Sequence, residues 1–259
     1  MMDLSGYQTA VIDWGIGGLS VYREIKRRDP HRRIVYFSDS GATPYGKLPP
    51  RELESRVAKV CGYFIQNKIG EIVIACNAAS TVASELRSNY KSSDIRIIDV
   101  ISSGIRLIKN SSFHRVGVIG GQRTILSRIY QRTLTTAKRK IIARIAQPLS
   151  AMIERGELDT PMMQATLAGI LAPLPRCDAV LLACTHYSAV EGLIQIFVPD
   201  SKILDPAALT AQELVGSKKT KSRKGLPDLF LTTGDPIQSR RSGHLAFGAK
   251  VKRFFQIAL

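Results

Sequence analysis

Apolar residues along this chain gather into short runs, separated by longer stretches in which they return every three or four positions. The runs at 9–13, 34–38, 72–74, 95–100, 116–119, 141–146, 179–182, 202–204 and 230–233 have the length of strands and suit a parallel sheet buried on both faces. The periodic stretches predict helices from 19 to near 29, over 50–67 and 80–88, from 102, from about 123, on both sides of 156–160, and after 182 and 236, with a last strand closing the chain. Strand and helix alternate. That order requires a parallel sheet with helices on both faces, an α/β fold.

Two of the runs end alike. Ile74-Ala75-Cys76-Asn77-Ala78-Ala79-Ser80 and Leu182-Ala183-Cys184-Thr185-His186-Tyr187-Ser188 each carry Ala-Cys and then small polar residues. The repeat predicts two α/β lobes of related shape, each placing a cysteine at the carboxyl end of a strand. In open α/β sheets ligands bind at that edge, and the next helix points its positive end there. The first strand ends at Asp13 and enters Gly15-Ile16-Gly17-Gly18, a turn without the order of a dinucleotide site and better suited to close approach of the backbone to a small anion.

Composition narrows the setting. The 259 residues are 44% hydrophobic, enough for an ordinary core in one large or two modest domains. The four cysteines lack the spacing of a disulfide scaffold or a zinc site, so reduced thiols in the cytoplasm are expected. No leader pattern and no apolar run of membrane-spanning length is seen. The formal net charge of +16 attracts anions from dicarboxylates to nucleic acid. The basic residues are spread out without a nucleic-acid motif, and those from Lys218 to Lys224 read as a basic mobile loop.

One thiol on each side of a cleft can take a proton from one face of a carbon and return one to the other, which inverts the centre. Asp13 and His186 stand beside the two cysteines as proton acceptors, although Asp13 also suits a cap on the first helix. A redox disulfide calls for an adjacent resolving cysteine, which the sequence lacks, and a single nucleophile leaves the repeat unexplained.

Taken together, the stretches Ile12-Asp13-Trp14-Gly15-Ile16-Gly17-Gly18, Tyr36-Phe37-Ser38-Asp39, Pro44-Tyr45-Gly46, Ala75-Cys76-Asn77-Ala78-Ala79-Ser80, Val118-Ile119-Gly120 with Thr124, Glu154 before Gly156, Cys184-Thr185-His186-Tyr187 and Thr233-Gly234-Asp235-Pro236 resemble the cofactor-independent glutamate racemases of the aspartate/glutamate racemase superfamily. The resemblance runs nearly end to end. It implies two pseudo-symmetric three-layer α/β domains, 1–97 with 208–259 and 98–207, and an active site in the cleft between them. It also implies Cys76 and Cys184 as opposed acid/bases, Asp13 assisting the first, and His186 and Glu154 assisting the second. A small anionic amino acid would be held by Asn77, Thr185, Thr124 and the Pro44-Tyr45-Gly46 loop, without pyridoxal phosphate or metal. A homodimer is compatible with it, and the expected product is D-glutamate for peptidoglycan.

Several positions depart from the family pattern. Trp14 stands where serine is usual, Ala78 where threonine is usual, Gly121 where the family shows threonine after glycine, and Ser102-Ser103 where an acidic-proline pair is usual. Trp14 and Ala78 therefore remove hydroxyls assigned to gripping the amino acid. The resemblance keeps the proton-transfer groups and alters the substrate grip, which leaves glutamate first, another amino acid such as aspartate second, and a non-catalytic racemase-like binding protein third.

Overall fold

In the computed structural model, residues 3–91, 94–174, 176–216 and 227–259 are described. Among the described residues ten strands form two all-parallel sheets. The first contains β1 (Thr9–Asp13), β2 (Ile34–Ser38), β3 (Glu71–Ile74), β4 (Arg96–Asp99), β9 (Leu229–Thr232) and β10 (Phe255–Gln256), in the order β10-β9-β2-β1-β3-β4. The second contains β5 (Arg115–Gly120), β6 (Lys140–Ile145), β7 (Ala179–Ala183) and β8 (Lys202–Leu204), in the order β6-β5-β7-β8. The central strands β1, β2 and β7 are buried at every position, which is why they read as unbroken apolar runs.

The helices are α1 (Leu19–Arg28), α2 (Pro50–Gln66), α3 (Asn77–Ser80), α4 (Ala83–Asn89), α5 (Val100–Lys109), α6 (Gln122–Leu126), α7 (Ile129–Leu134), α8 (Gln147–Glu154), α9 (Pro161–Leu171), α10 (Glu191–Phe197), α11 (Ala207–Val215) and α12 (Pro236–Phe247). A 3₁₀ turn spans Thr185–Val190.

Several elements differ from the sequence expectation. The helix expected over 80–88 is two short ones, and the first begins at Asn77, directly after Cys76. The helix expected from 102 starts at Val100 because the Asp99 carboxylate accepts the Ser102 N–H and caps it. The helix expected from about 123 breaks at Arg128, which takes the left-handed conformation at φ 56°. α11, packed against α1 and α5, is an addition to the elements expected from the pattern. The basic segment from Lys218 to Lys224 lies outside the described residues.

Candidate active site

β1 and β3 are neighbours in the first sheet, so Asp13 and Cys76 leave it at one edge. β7 is central in the second, and Cys184 follows it directly. The short helix after Cys76 and the 3₁₀ turn after Cys184 then carry Asn77, Thr185 and His186. These edges bound a cavity of about 450 Å³ with mostly apolar walls. The cavity brings together Asp13, Trp14, Pro44, Tyr45, Gly46, Cys76, Asn77, Ala78, Thr124, Glu154, Cys184, Thr185 and His186, every site residue expected from the sequence. What each does there is a separate question of geometry.

On the first side, Asp13 is 2% exposed. Its carboxylate accepts the N–H groups of Trp14 and Gly18 and, at 3.1 Å, the Thr185 hydroxyl from the second sheet. It therefore does cap the turn into α1, and its charge also acts on the Cys76 thiol. Burial pushes the Asp13 carboxyl above its ordinary 3.8, against the opposing pull of the His186 charge and the hydrogen bonds it accepts. Burial likewise pushes the Cys76 thiol well above 9.0, and the Asp13 charge adds to the rise.

On the second side the groups form a line. Cys184 Sγ lies 3.7 Å from His186 Nδ1, and His186 Nε2 lies 2.7 Å from Glu154 Oε1. Burial pulls the His186 pKa down, but the hydrogen bonds and charges of Cys184 and Glu154 outweigh it and leave the imidazole well above 6.5. The protonated form of His186 is thus favoured by its place between a sulfur and a carboxylate.

The glycine turn serves this arrangement. It does receive an anion, and the anion is the protein's own: Ile16 N–H donates to Glu154 Oε1 at 2.9 Å. A Cβ on Gly17 would lie 2.5 Å from His186 Nδ1 and 2.8 Å from the His186 backbone nitrogen. Glycine is required there by the approach of the other lobe, not by a phosphate.

Asn77 is 3% exposed, and its Oδ1 accepts the Tyr130 hydroxyl at 3.0 Å. That bond fixes the amide and leaves Nδ2 buried with no protein partner, a donor ready for a ligand oxygen. Tyr45 donates to Asp39 at 2.6 Å, and Arg56 holds the same carboxylate, so the Pro44–Gly46 loop has a rigid base. The Trp14 indole N–H donates to the Ala42 carbonyl at 3.0 Å, which ties the ring to that loop.

The cavity also contains residues that the sequence patterns do not mark, among them Lys47, Gln147, Ser150 and Ala151. Three of these share a face of α8 with Glu154, at the i, i+3, i+4, i+7 spacing. Counting back from Glu154 by that spacing finds them. Among the described residues no cluster of three or more His, Cys, Asp or Glu is placed to hold a metal ion.

Residues 11–214 match the family model for Asp/Glu/hydantoin racemases. The chain belongs to that family. A glutamate racemase of Stutzerimonas stutzeri is 30% identical to this racemase-family chain over 255 residues, covering 95% of this chain and 96% of that protein. The structure of the Francisella tularensis glutamate racemase in complex with D-glutamate superposes with a TM-score of 0.86 at 25% identity, covering 98% of both chains. The Thermus thermophilus glutamate racemase in complex with β-chloro-D-alanine gives a TM-score of 0.86 at 28% identity, again over 98% of both. The fold is therefore that of the glutamate racemases. Among the described residues no helix is long and apolar enough to cross a membrane.

Proposed function

We propose that this protein is a cofactor-independent glutamate racemase with Cys76 and Cys184 as the opposed acid and base. One observation carries the reading: each thiol has its own proton partner, Asp13 for Cys76 and the His186–Glu154 pair for Cys184, and all five groups face one cavity.

The chemistry follows from that pairing. Cys76 gives its proton to Asp13 and, as thiolate, removes the α-proton from one face of the bound amino acid. Cys184 delivers its own proton to the opposite face and is reprotonated by His186. The same steps run backwards for the other enantiomer. The α-proton of an amino acid is weakly acidic, so charge developing on the carboxylate must be met by donors already in place. The buried, unpartnered Nδ2 of Asn77 is such a donor, and the hydroxyl of Thr124, 1% exposed, is a second; the Thr185 hydroxyl, which already donates to Asp13, can accept from the substrate ammonium group. The mostly apolar walls keep the local dielectric low, where such donors act most strongly.

The lobes are proposed to comprise 1–97 with 208–259 and 98–207, the active site lying between their sheets. The setting is proposed to be cytoplasmic, supplying D-glutamate for peptidoglycan. A second reading, the same two-thiol reaction on another amino acid, is favoured by Trp14 and Ala78 in the cavity lining. Circular dichroism of the purified protein with each L-amino acid separates the two. Decay of the signal to zero with glutamate, with deuterium entering Cα in D₂O, supports the first. Decay with a different amino acid alone selects the second, and a constant signal with every amino acid overturns both.

A further inference from the structure

Helix α8 spans the length of the cavity. Glu154 at its C-terminal end bonds His186, next to Cys184, so that end lies at the proton-transfer groups. Gln147, seven residues earlier, lies on the same face and about 10 Å away along the axis, at roughly 1.5 Å per residue. Between them the α8 residues that line the cavity are Pro148, Ser150 and Ala151, and the last two are small enough to leave room for a substrate chain.

The Gln147 amide has a fixed orientation. The Gln122 backbone N–H donates to Gln147 Oε1 at 2.9 Å, and a backbone N–H can only donate, so Nε2 must be the other terminal atom. The amide is packed against two glycines that also line the cavity. A Cβ on Gly46 would lie 3.0 Å from Oε1 and 3.5 Å from Nε2, and a Cβ on Gly121 would lie 3.0 Å from Oε1. Gln147 therefore occupies the space beside Gly121, one of the positions that departs from the family pattern. Lys47, next to Gly46, is the one lysine or arginine among the described residues lining the cavity.

Asn77 shows the same device near the thiols: an oxygen held by a protein donor and an amide nitrogen left unpartnered. The cavity thus has an oriented amide near each end, with two cysteines beside one of them.

We propose that Gln147 Nε2, with the Lys47 charge behind it, is the specificity-determining donor for the distal carboxylate of the substrate, so that α8 measures side-chain length. A five-carbon dicarboxylate reaches from the thiols to Gln147. A four-carbon one, a methylene shorter, leaves the donor out of hydrogen-bond range. This assignment rests on the racemase reading above and deepens it.

Calorimetric titration of the full chain with glutarate and with succinate tests it without requiring turnover. Glutarate is expected to bind about ten- to a hundred-fold more tightly than succinate, the range for a hydrogen bond to a charged group. Gln147→Glu keeps a carbonyl-type oxygen for the Gln122 N–H and replaces the donor with an acceptor. It should melt like the parent protein, lose the glutarate preference, and raise KM for glutamate by the same factor while kcat falls much less. Gln147→Ala should lose the preference as well. Equal binding of the two dicarboxylates, no binding of either, or a Gln147→Glu protein that binds glutarate like the parent overturns the assignment. Glutarate selected through Gln147 in a protein that racemises nothing upholds it and ends the function proposal. Glutamate racemisation with KM unmoved by either substitution does the reverse.

Discussion

The Thr185 hydroxyl, at the edge of the second sheet, donates to Asp13 Oδ2, at the edge of the first, at 3.1 Å. The reciprocal bond runs the other way: Ile16 N–H, from the turn after β1, donates to Glu154 Oε1. Each acid that serves one thiol is thus held in part by the opposite lobe. Each proton relay lies within one lobe, but its acid is anchored by the other, so the alignment of both depends on the lobes being packed together.

This wiring sets the pH dependence. Only ionised Asp13 can take the Cys76 proton, and burial raises its carboxyl above 3.8. The kcat/KM profile should therefore fall on the acid side at a pH above the ordinary aspartate range. His186 must be charged to reprotonate Cys184, and its pKa is raised well above 6.5, so the alkaline limb should lie above the ordinary histidine range. For stability the sign is opposite to that of an ion-paired carboxylate: an Asp13 raised by burial favours the fold below pH 3.8, and that contribution is lost as pH rises through its folded value. A pH–rate profile of the parent and of Asp13→Asn checks the assignment. The variant should lose most of its activity, and an unchanged acid limb in its residual rate would assign that limb to another group.

The two thiols should be separable by stereochemistry. Cys76→Ser and Cys184→Ser are each expected to abolish nearly all racemisation, because serine is a far weaker base at neutral pH than a thiolate. Each variant keeps one working thiol, so each should still eliminate HX from a glutamate analogue with a β leaving group, from one enantiomer only and from opposite enantiomers in the two variants. The checks are halide release and chiral chromatography. Full racemase activity in either serine variant contradicts the two-base account.

The repeat of strand, Ala-Cys and small polar residues makes the thiols legible, since buried parallel strands leave a continuous apolar signature and the active edge follows them. Asp13 and His186 are legible by adjacency. Glu154 is accessible only through family resemblance, because its bond to His186 joins residues 32 positions apart on elements that follow different strands of the second sheet. Gln147 escapes because glutamine at a helix start carries no chemical signature until its oxygen is seen bonded to Gln122 N–H. The turn at Gly15–Gly18 has the pattern of an anion cradle, and the incoming carboxylate belongs to the chain itself. The break at Arg128 has no glycine or proline to mark it, so a left-handed residue there is invisible to pattern.

Trp14 illustrates a departure that the structure reinterprets. Its bulk suggests intrusion on the substrate, yet the indole N–H is anchored on the Ala42 carbonyl, and the ring forms cavity wall together with Ala78. Restoring the two family hydroxyls, Trp14→Ser with Ala78→Thr, should lower KM for glutamate by about ten- to a hundred-fold if their absence weakens the grip. Ala78→Thr alone should give part of that gain. Steady-state kinetics on the single and double variants decide it, and an unchanged or higher KM in both shows that the cavity is tuned without those hydroxyls.

Gly17 tests the need for lobe contact directly. A Cβ there would lie 2.6 Å from Thr185 Oγ1 and 2.8 Å from the His186 backbone nitrogen, and backbone cannot rotate away as a flexible side chain would. Gly17→Ala must therefore push the turn and the second lobe apart, with a cost of about 1–3 kcal/mol in stability. It should also cost about a hundred-fold in kcat/KM, because an ångström of misplacement separates thiol and proton partner. Gly169, inside α9 and with nothing within 4 Å of where a Cβ would sit, supplies the control: Gly169→Ala should stabilise by about 0.5–1 kcal/mol through lost unfolded-state freedom and leave turnover alone. Urea melts and racemisation rates of the two variants distinguish the cases. Equal, small effects at Gly17 and Gly169 would show that the lobes do not need this contact to align the relays.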